Sequence, residues 1–201
     1  KPDMTHIIAP AKLTLSLKVT GVRADGFHLI DAEMVSLELH DVLTITDGDS
    51  GMSVSGPFAS GVPTDDNNLV ARALQLCGKT AHIHIEKNIP HGGGLGGGSS
   101  DAAAVLRWTS YSDLIAASRL GADIPFCMHG GRARVTGIGE ILQPLPFVAR
   151  EITLVVPPFG VSTPAVYKAF DSLQAQHDGP NDLEPAAIAV EPRLATWRDR
   201  I

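Results

Sequence analysis

Six of the seven residues from Gly92 to Gly98 are glycine, in the run Ile89-Pro90-His91-Gly92-Gly93-Gly94-Leu95-Gly96-Gly97-Gly98-Ser99-Ser100-Asp101. Regular structure does not favour such a tract, because glycine loses more backbone freedom on ordering than any other residue. It belongs where the backbone must approach a ligand or take dihedrals closed to side-chain-bearing residues. The flanks argue against a flexible linker: residues 81–86 alternate apolar and polar as a strand does, and residues 102–107 form an Ala-rich, helix-forming run. Strand, glycine turn and helix N-terminus in succession aim amide N–H groups and a helix dipole at one spot, which suits a phosphate.

The tract is not a P-loop, since Gly98-Ser99-Ser100-Asp101 lacks the lysine that such a loop sends to the phosphates. Gly92-x-Gly94-x-x-Gly97 satisfies the dinucleotide fingerprint, but a tract this dense in glycine matches it automatically. Pro90 enters the loop, and no acidic residue closes a second strand about twenty residues on, so a Rossmann reading is disfavoured.

With 16 basic and 22 acidic residues, a net charge of −6 and 5% aromatics, the chain lacks the basic footprint of a nucleic-acid binder. A phosphorylated ligand must then be held by local features against a long-range field of the wrong sign: loop amides, a few placed cations and Mg²⁺. No stretch is long and apolar enough to span a membrane. Cys77 and Cys127 sit in apolar surroundings, which reads as reduced, buried thiols in a cytoplasmic protein, with no zinc site or disulfide framework. His82 and His84 share a strand face without a third ligand, so they read as a solvated face.

The hydrophobic pattern indicates an α+β fold. Residues 12–20 alternate strictly, with Leu13, Leu15, Leu17 and Val19 on one face and Lys12, Thr14, Ser16, Lys18 and Thr20 on the other. Further strands are expected over 33–39, 42–46 and 52–55, as an antiparallel meander turning at Asp47-Gly48, and over 81–86, 132–136 and 152–156. Helices are expected over 69–76 behind the capping run 65–68, after Ser99, around 113–119 and over 164–173. Pro157-Pro158-Phe159-Gly160 marks a domain boundary.

Two more segments complete a set. Ala9-Pro10-Ala11-Lys12-Leu13-Thr14 runs on to Ala24-Asp25-Gly26-Phe27-His28; later come Leu120-Gly121-Ala122-Asp123 and Gly137-Ile138-Gly139-Glu140. With the glycine loop between them, these resemble the GHMP kinase superfamily, in matching order through most of the chain. The likeness is greatest to the branch that phosphorylates a cytidine diphosphate-linked methylerythritol in the non-mevalonate isoprenoid pathway. It implies an α+β two-domain fold: an N-terminal ATP-binding domain of the ribosomal protein S5 domain 2-like type over 1–156, and the start of a ferredoxin-like C-terminal domain over 157–201, incomplete here.

Carried over residue by residue, the resemblance makes Lys12 and Asp123 the catalytic pair. It gives the ATP phosphates to Pro90, His91, Gly92, Gly93, Gly94, Leu95, Gly96, Gly97, Gly98, Ser99 and Ser100, with Mg²⁺ on those phosphates and Ser99 or Ser100 in reach of it. Thr14, Phe27, His28, Thr163 and Tyr167 fall at the substrate positions, Phe27 and Tyr167 on the two faces of the cytosine and His28 hydrogen-bonded to it. Three features depart from the family pattern. Thr14 stands for an asparagine, Phe27 for a tyrosine, and the chain reaches Ile201 without a Gly/Ser-rich C-terminal motif. The passage from Arg107 into Trp108-Thr109-Ser110-Tyr111 also continues an Ala-rich helix poorly and reads as a place where a segment is missing.

Taken singly, each residue has a plainer reading: Lys12 as a solvated lysine, Asp123 as the cap of a helix beginning near Pro125, His28 as a turn residue, Tyr167 as core. Taken together they describe phosphoryl transfer from ATP to an alcohol. Asp123 orients the hydroxyl and finally accepts its proton, Lys12 stabilises developing charge, and the loop amides hold the phosphates. The alternatives are a homoserine- or mevalonate-type kinase of the same superfamily and a non-catalytic nucleotide-binding module.

Overall fold

The computed structural model describes residues 4–173 and 177–201. Two long strands organise it. β1 (Met4–Val22) and β2 (His28–Asp47) pair antiparallel along nearly their whole length, joined by a turn at Gly26. The other edge of β2 is shared: β4 (Ala81–Glu86) pairs with Val42–Asp47, and β5 (Arg132–Gly137) pairs with Ile30–Val35. β3 (Gly51–Ser55) lies outside β4, and β6 (Ile141–Pro144) outside β5. Between the two partners, residues 36–41 of β2 have no strand on that edge, and the glycine loop leaves β4 beside this gap.

Alternation along β2, β4 and β5 puts Leu43, Ile45, Ile83, Ile85, Ala133 and Val135 on one buried face. α1 (Leu69–Leu76), α2 (Gly97–Trp108), α3 (Leu114–Leu120) and α4 (Ile124–His129) supply the other half of this core, with Val70, Val105, Leu106, Ile124 and Phe126 fully buried. Truncating a buried Phe such as Phe126 to Ala would cost about 3–5 kcal/mol. α1 matches its expected span, because Asn68 Oδ1 accepts from Val70 N at 2.9 Å and Gly78 leaves the helix at φ +63°. α2 is buried throughout Ser100–Leu106, and its three consecutive alanines let it sit close to the sheet. It continues one residue past Arg107 and stops where Thr109 Oγ1 bonds back to Leu106 O at 3.0 Å and Ser110 turns to φ +55°.

Four expectations are corrected. Segments 33–39 and 42–46 are one strand, because β1 pairs across Asp41 and His40 without a turn. The meander does not form: β3 pairs in parallel with β4, which lies between it and β2. Strict alternation fails in β1, where register shifts near Lys12 and Thr14 turn Ala9, Ala11 and Lys12 all inward. Residues 152–156 form no strand, having no partner edge among the described residues. β6, α6 (Glu184–Val190) and α7 (Arg193–Arg198) were not anticipated.

The C-terminal segment returns to the free edge of β1. Leu17 N donates to Pro180 O at 2.8 Å, Asp182 N to Leu17 O at 2.9 Å, and Lys18 pairs with Asp182 at 2.8 Å. α5 (Thr163–Leu173) then lies against the start of β2 through Tyr167 and Phe170 on His28. Among the described residues no helix is long and apolar enough to cross a membrane, and no group of three or more His, Cys, Asp and Glu side chains is placed to hold a metal. His84 is not part of a solvated face: Ser53 and Ser55 hydroxyls lie 2.9 Å from its two ring nitrogens. Cys77 and Cys127 are free, and burial pushes the Cys127 thiol up to about 12.

Candidate active site

The register shift that buries Lys12 also aims it. Its Nζ lies 3.2 Å from Asp123 Oδ2 and 3.2 Å from Thr14 Oγ1, with 9% of the Lys12 side chain exposed against 32% for Asp123. Asp123 stands at the N-cap position of α4, yet its side chain makes no cap hydrogen bond, so the plain capping role is not the one its carboxylate takes. Its partner is an ammonium carried 111 residues earlier on the central hairpin, an ion pair opening to solvent through its acidic member.

The glycine loop meets this pair directly. Lys12 N donates to Leu95 O at 2.9 Å, and the Leu95 side chain is buried with Ala11 and Ile89, so the one apolar residue of the tract anchors it to β1. Gly96 takes φ +68°, where a Cβ would stand 2.9 Å from Lys12 Cγ. It forms the N-cap of α2, twelve residues long, so that helix starts beside the Lys12 side chain. Gly92, Gly93 and Gly94 are exposed, while Gly92 O accepts from Val161 N at 3.2 Å. His91 Nε2 bonds to Phe58 O, and Pro90 is half-buried at the loop's entry. Ser100 is fully buried and donates to Pro10 O at 2.6 Å, whereas Ser99 and Gly98 remain partly or fully exposed.

Beneath the loop lies a cluster that the sequence reading missed. Lys87, directly after β4, places its ammonium against Asp41 in the β2 gap and 2.5 Å from Asp101 in the first turns of α2; all three side chains are at most 4% exposed. Asp41 Oδ1 also accepts from Asn88 N at 2.5 Å and Ile89 N at 2.8 Å. The cluster thus ties the strand entering the loop to the helix leaving it. Burial, then the charge of Asp41, pushes the Asp101 carboxyl up to about 7, Lys87 opposing; among the described residues Asp101 Oδ1 has no partner. Burial works against the charge on Lys87, but the two aspartates outweigh it and the amine is held above its ordinary range. The only sequence signal was a lysine and an aspartate bracketing the loop amid Ile85, Ile89 and the alanines.

The expected base-binding residues divide. His28 stacks on Tyr167 with ring centroids 4.7 Å apart, and its Nε2 lies 2.6 Å from Asp171 Oδ1, a residue not anticipated. Burial, and secondarily the charge of Asp123, raises the Tyr167 phenol. Phe27 stands apart: 57% exposed, it has the Arg23 guanidinium 5.7 Å over its ring. Thr163 opens α5 and is exposed.

Comparison with known proteins places the chain in a family. Residues 68–131, which include the loop and Asp123, match the GHMP kinases N terminal domain. A 4-diphosphocytidyl-2-C-methyl-D-erythritol kinase from Paracoccus denitrificans is 44% identical, the match covering 93% of this chain and 76% of that protein. One from Cereibacter sphaeroides is 38% identical, over 97% of this chain and 81% of its own length. The crystal structure of a 4-(cytidine 5'-diphospho)-2C-methyl-D-erythritol kinase superposes with a TM-score of 0.70 at 34% identity, covering 98% of this chain and 82% of that one.

Proposed function

The chain belongs to the 4-diphosphocytidyl-2-C-methyl-D-erythritol kinase family of the GHMP kinases, and from that premise we propose that it transfers the γ-phosphoryl group of ATP to the 2-hydroxyl of 4-diphosphocytidyl-2-C-methyl-D-erythritol. The observation that carries the reading is the Lys12–Asp123 pair standing against the glycine loop, with Lys12 bonded to the loop backbone through Leu95. A non-catalytic nucleotide binder has no need of that pairing.

Phosphoryl transfer passes through a loose transition state, so holding the nucleophile in line and neutralising charge matter more than the strength of the base. Asp123 Oδ1 is the oxygen not given to Lys12; it orients the acceptor hydroxyl and takes its proton as the new P–O bond forms. Lys12 fixes Asp123 and stabilises negative charge on the moving phosphoryl group. Amides of Gly96, Gly97 and Gly98 at the start of α2 hold the nucleotide phosphates. Bound with ATP, Mg²⁺ would supply further charge neutralisation, and Ser99 is the loop hydroxyl free to reach it, since Ser100 is committed to Pro10.

His28 and Tyr167 take the cytosine, Thr14 and Thr163 line the polyol and second-domain side, and the exposed Phe27 takes the open face of the base. Residues 1–156 belong to the ATP-binding domain and 157–201 to the C-terminal one. Two free cysteines, the thiol of Cys127 raised by burial, and the use of ATP support a cytoplasmic site of action.

The test is turnover. Purified protein with ATP, Mg²⁺ and the cytidine substrate should release ADP and give a phosphomonoester visible by ³¹P NMR, while homoserine and mevalonate stay unphosphorylated. Phosphorylation of either of those in preference to the cytidine substrate would replace the assignment with a different GHMP kinase.

A further inference from the structure

Asp171 has no part in the chemistry described so far, yet it holds the one ring through which the base would be read. Tyr167, Phe170 and Asp171 occupy positions i, i+3 and i+4 of α5 and so share a helix face. All three meet His28: Tyr167 stacks on it at 4.7 Å, Phe170 meets it edge-on at 6.3 Å, and Asp171 Oδ1 lies 2.6 Å from Nε2. The imidazole is 12% exposed, so its orientation is set by α5 and not by solvent.

An ionised carboxylate can only accept a hydrogen bond. With Asp171 on Nε2, that nitrogen must carry the hydrogen, and in the neutral ring Nδ1 is left as a bare acceptor. Among the described residues Nδ1 has no partner of its own. A bare acceptor receives a hydrogen bond from an exocyclic amino group, such as the one on C4 of cytosine. Against the carbonyl of uracil at the same position it would set lone pair against lone pair, with no proton to share.

Resting on the assignment of His28 to the base, we infer that Asp171 is a positioning residue that fixes the His28 tautomer and thereby makes this kinase select an amino-bearing pyrimidine over its keto counterpart. Specificity of this kind is carried by hydrogen-bond polarity. A site built to pair with one pattern of donors and acceptors leaves its own polar groups unpaired against the other.

The tautomer can be read without turnover. In ¹⁵N-histidine-labelled protein at pH 8, with the His28 signals identified by their loss in His28→Gln, the two ring nitrogens should be widely separated, Nε2 protonated and Nδ1 bare. In Asp171→Leu they should move toward each other as the tautomers mix, and in Asp171→Asn, whose amide oxygen still accepts, the wild-type pattern should return. In parallel, the ratio of kcat/KM for the cytidine substrate over its uridine analogue should fall about tenfold in Asp171→Leu, through the acceptor KM, and recover in Asp171→Asn. A wild-type ring protonated on Nδ1, or a spectrum unmoved in Asp171→Leu, overturns the inference. A tautomer that shifts while the base ratio holds overturns the selectivity role. Absence of turnover with the cytidine substrate in wild type would instead overturn the functional assignment beneath it, a result the spectrum alone cannot produce.

Discussion

Asp123 occupies the N-cap of α4 without capping it, and its Oδ2 lies 3.2 Å from Lys12 Nζ on β1. An N-cap aspartate ordinarily satisfies a free amide of its own helix, a contribution of about 1 kcal/mol. Here the carboxylate faces Lys12 instead, and Pro125 at the start of α4 removes one of the amides that would have needed it. The local stability is given up in favour of a charge pair at the mouth of the loop.

Asp123→Asn should therefore lower kcat about 10²- to 10⁴-fold, the usual range for a general base, with the Kd for ATP little changed. Steady-state kinetics beside titration of a non-hydrolysable ATP analogue separates the two. Near-normal kcat in a folded Asp123→Asn protein would remove Asp123 from the chemistry.

The loop offers an internal control. Gly94 and Gly96 have nearly the same φ, +71° and +68°, but a Cβ at Gly94 meets nothing within 4 Å whereas one at Gly96 stands 2.9 Å from Lys12 Cγ. Gly94→Ala bears only the left-handed backbone cost, roughly 1–2 kcal/mol. Gly96→Ala bears that and displaces Lys12, so it should lose kcat as well as ATP affinity. Equal effects of the two on kcat would show that Lys12 does not depend on the shape of the loop.

How much of this could be read from the chain depends on the range of the interaction. α1 was legible because Asn68 and Gly78 end it chemically within the helix's own sequence. The glycine loop was legible because its conformation needs a residue type. The parallel pairing of β3 with β4 was not, since adjacency in sequence favours a hairpin and only the third strand decides otherwise. The Asp41–Lys87–Asp101 cluster was hidden for the same reason: its members lie 46 and 14 residues apart, and each alone resembles a surface charge. Lys12 was found by its motif, while its burial came from a bulge that an alternating pattern cannot reveal.

That cluster sets a pH dependence whose sign is fixed. The Asp101 carboxyl is raised to about 7, chiefly by burial, above an unfolded value near 3.8. Between those values the folded state holds a proton that the unfolded chain has released. Its contribution is therefore full below pH about 4 and is lost as pH rises to about 7. Asp101→Asn, which keeps an oxygen for Lys87 and cannot ionise, should flatten that slope and raise Tm relative to wild type above pH 7. Thermal unfolding at a series of pH values checks it, and a Tm lower than wild type at pH 8 would mean that Asp101 serves as an ionised partner of Lys87.

The two aromatic residues assigned to the base make opposite predictions for stability. Phe27 is 57% exposed, with only the Arg23 guanidinium over its ring, so the unliganded fold loses little when it is removed. Tyr167 is half-buried on α5 and stacked on His28 at 4.7 Å, so its removal loosens the helix against β2 before any substrate binds. Stacking of a base on an aromatic ring is worth about 1–3 kcal/mol, so both alanine variants should raise the acceptor KM by roughly tenfold to a hundredfold while leaving KM for ATP alone. Only Tyr167→Ala should also lower Tm. If Phe27→Ala leaves the acceptor KM at its wild-type value, the exposed ring does not close on the base, and recognition of the cytosine rests on the α5 face and His28 alone.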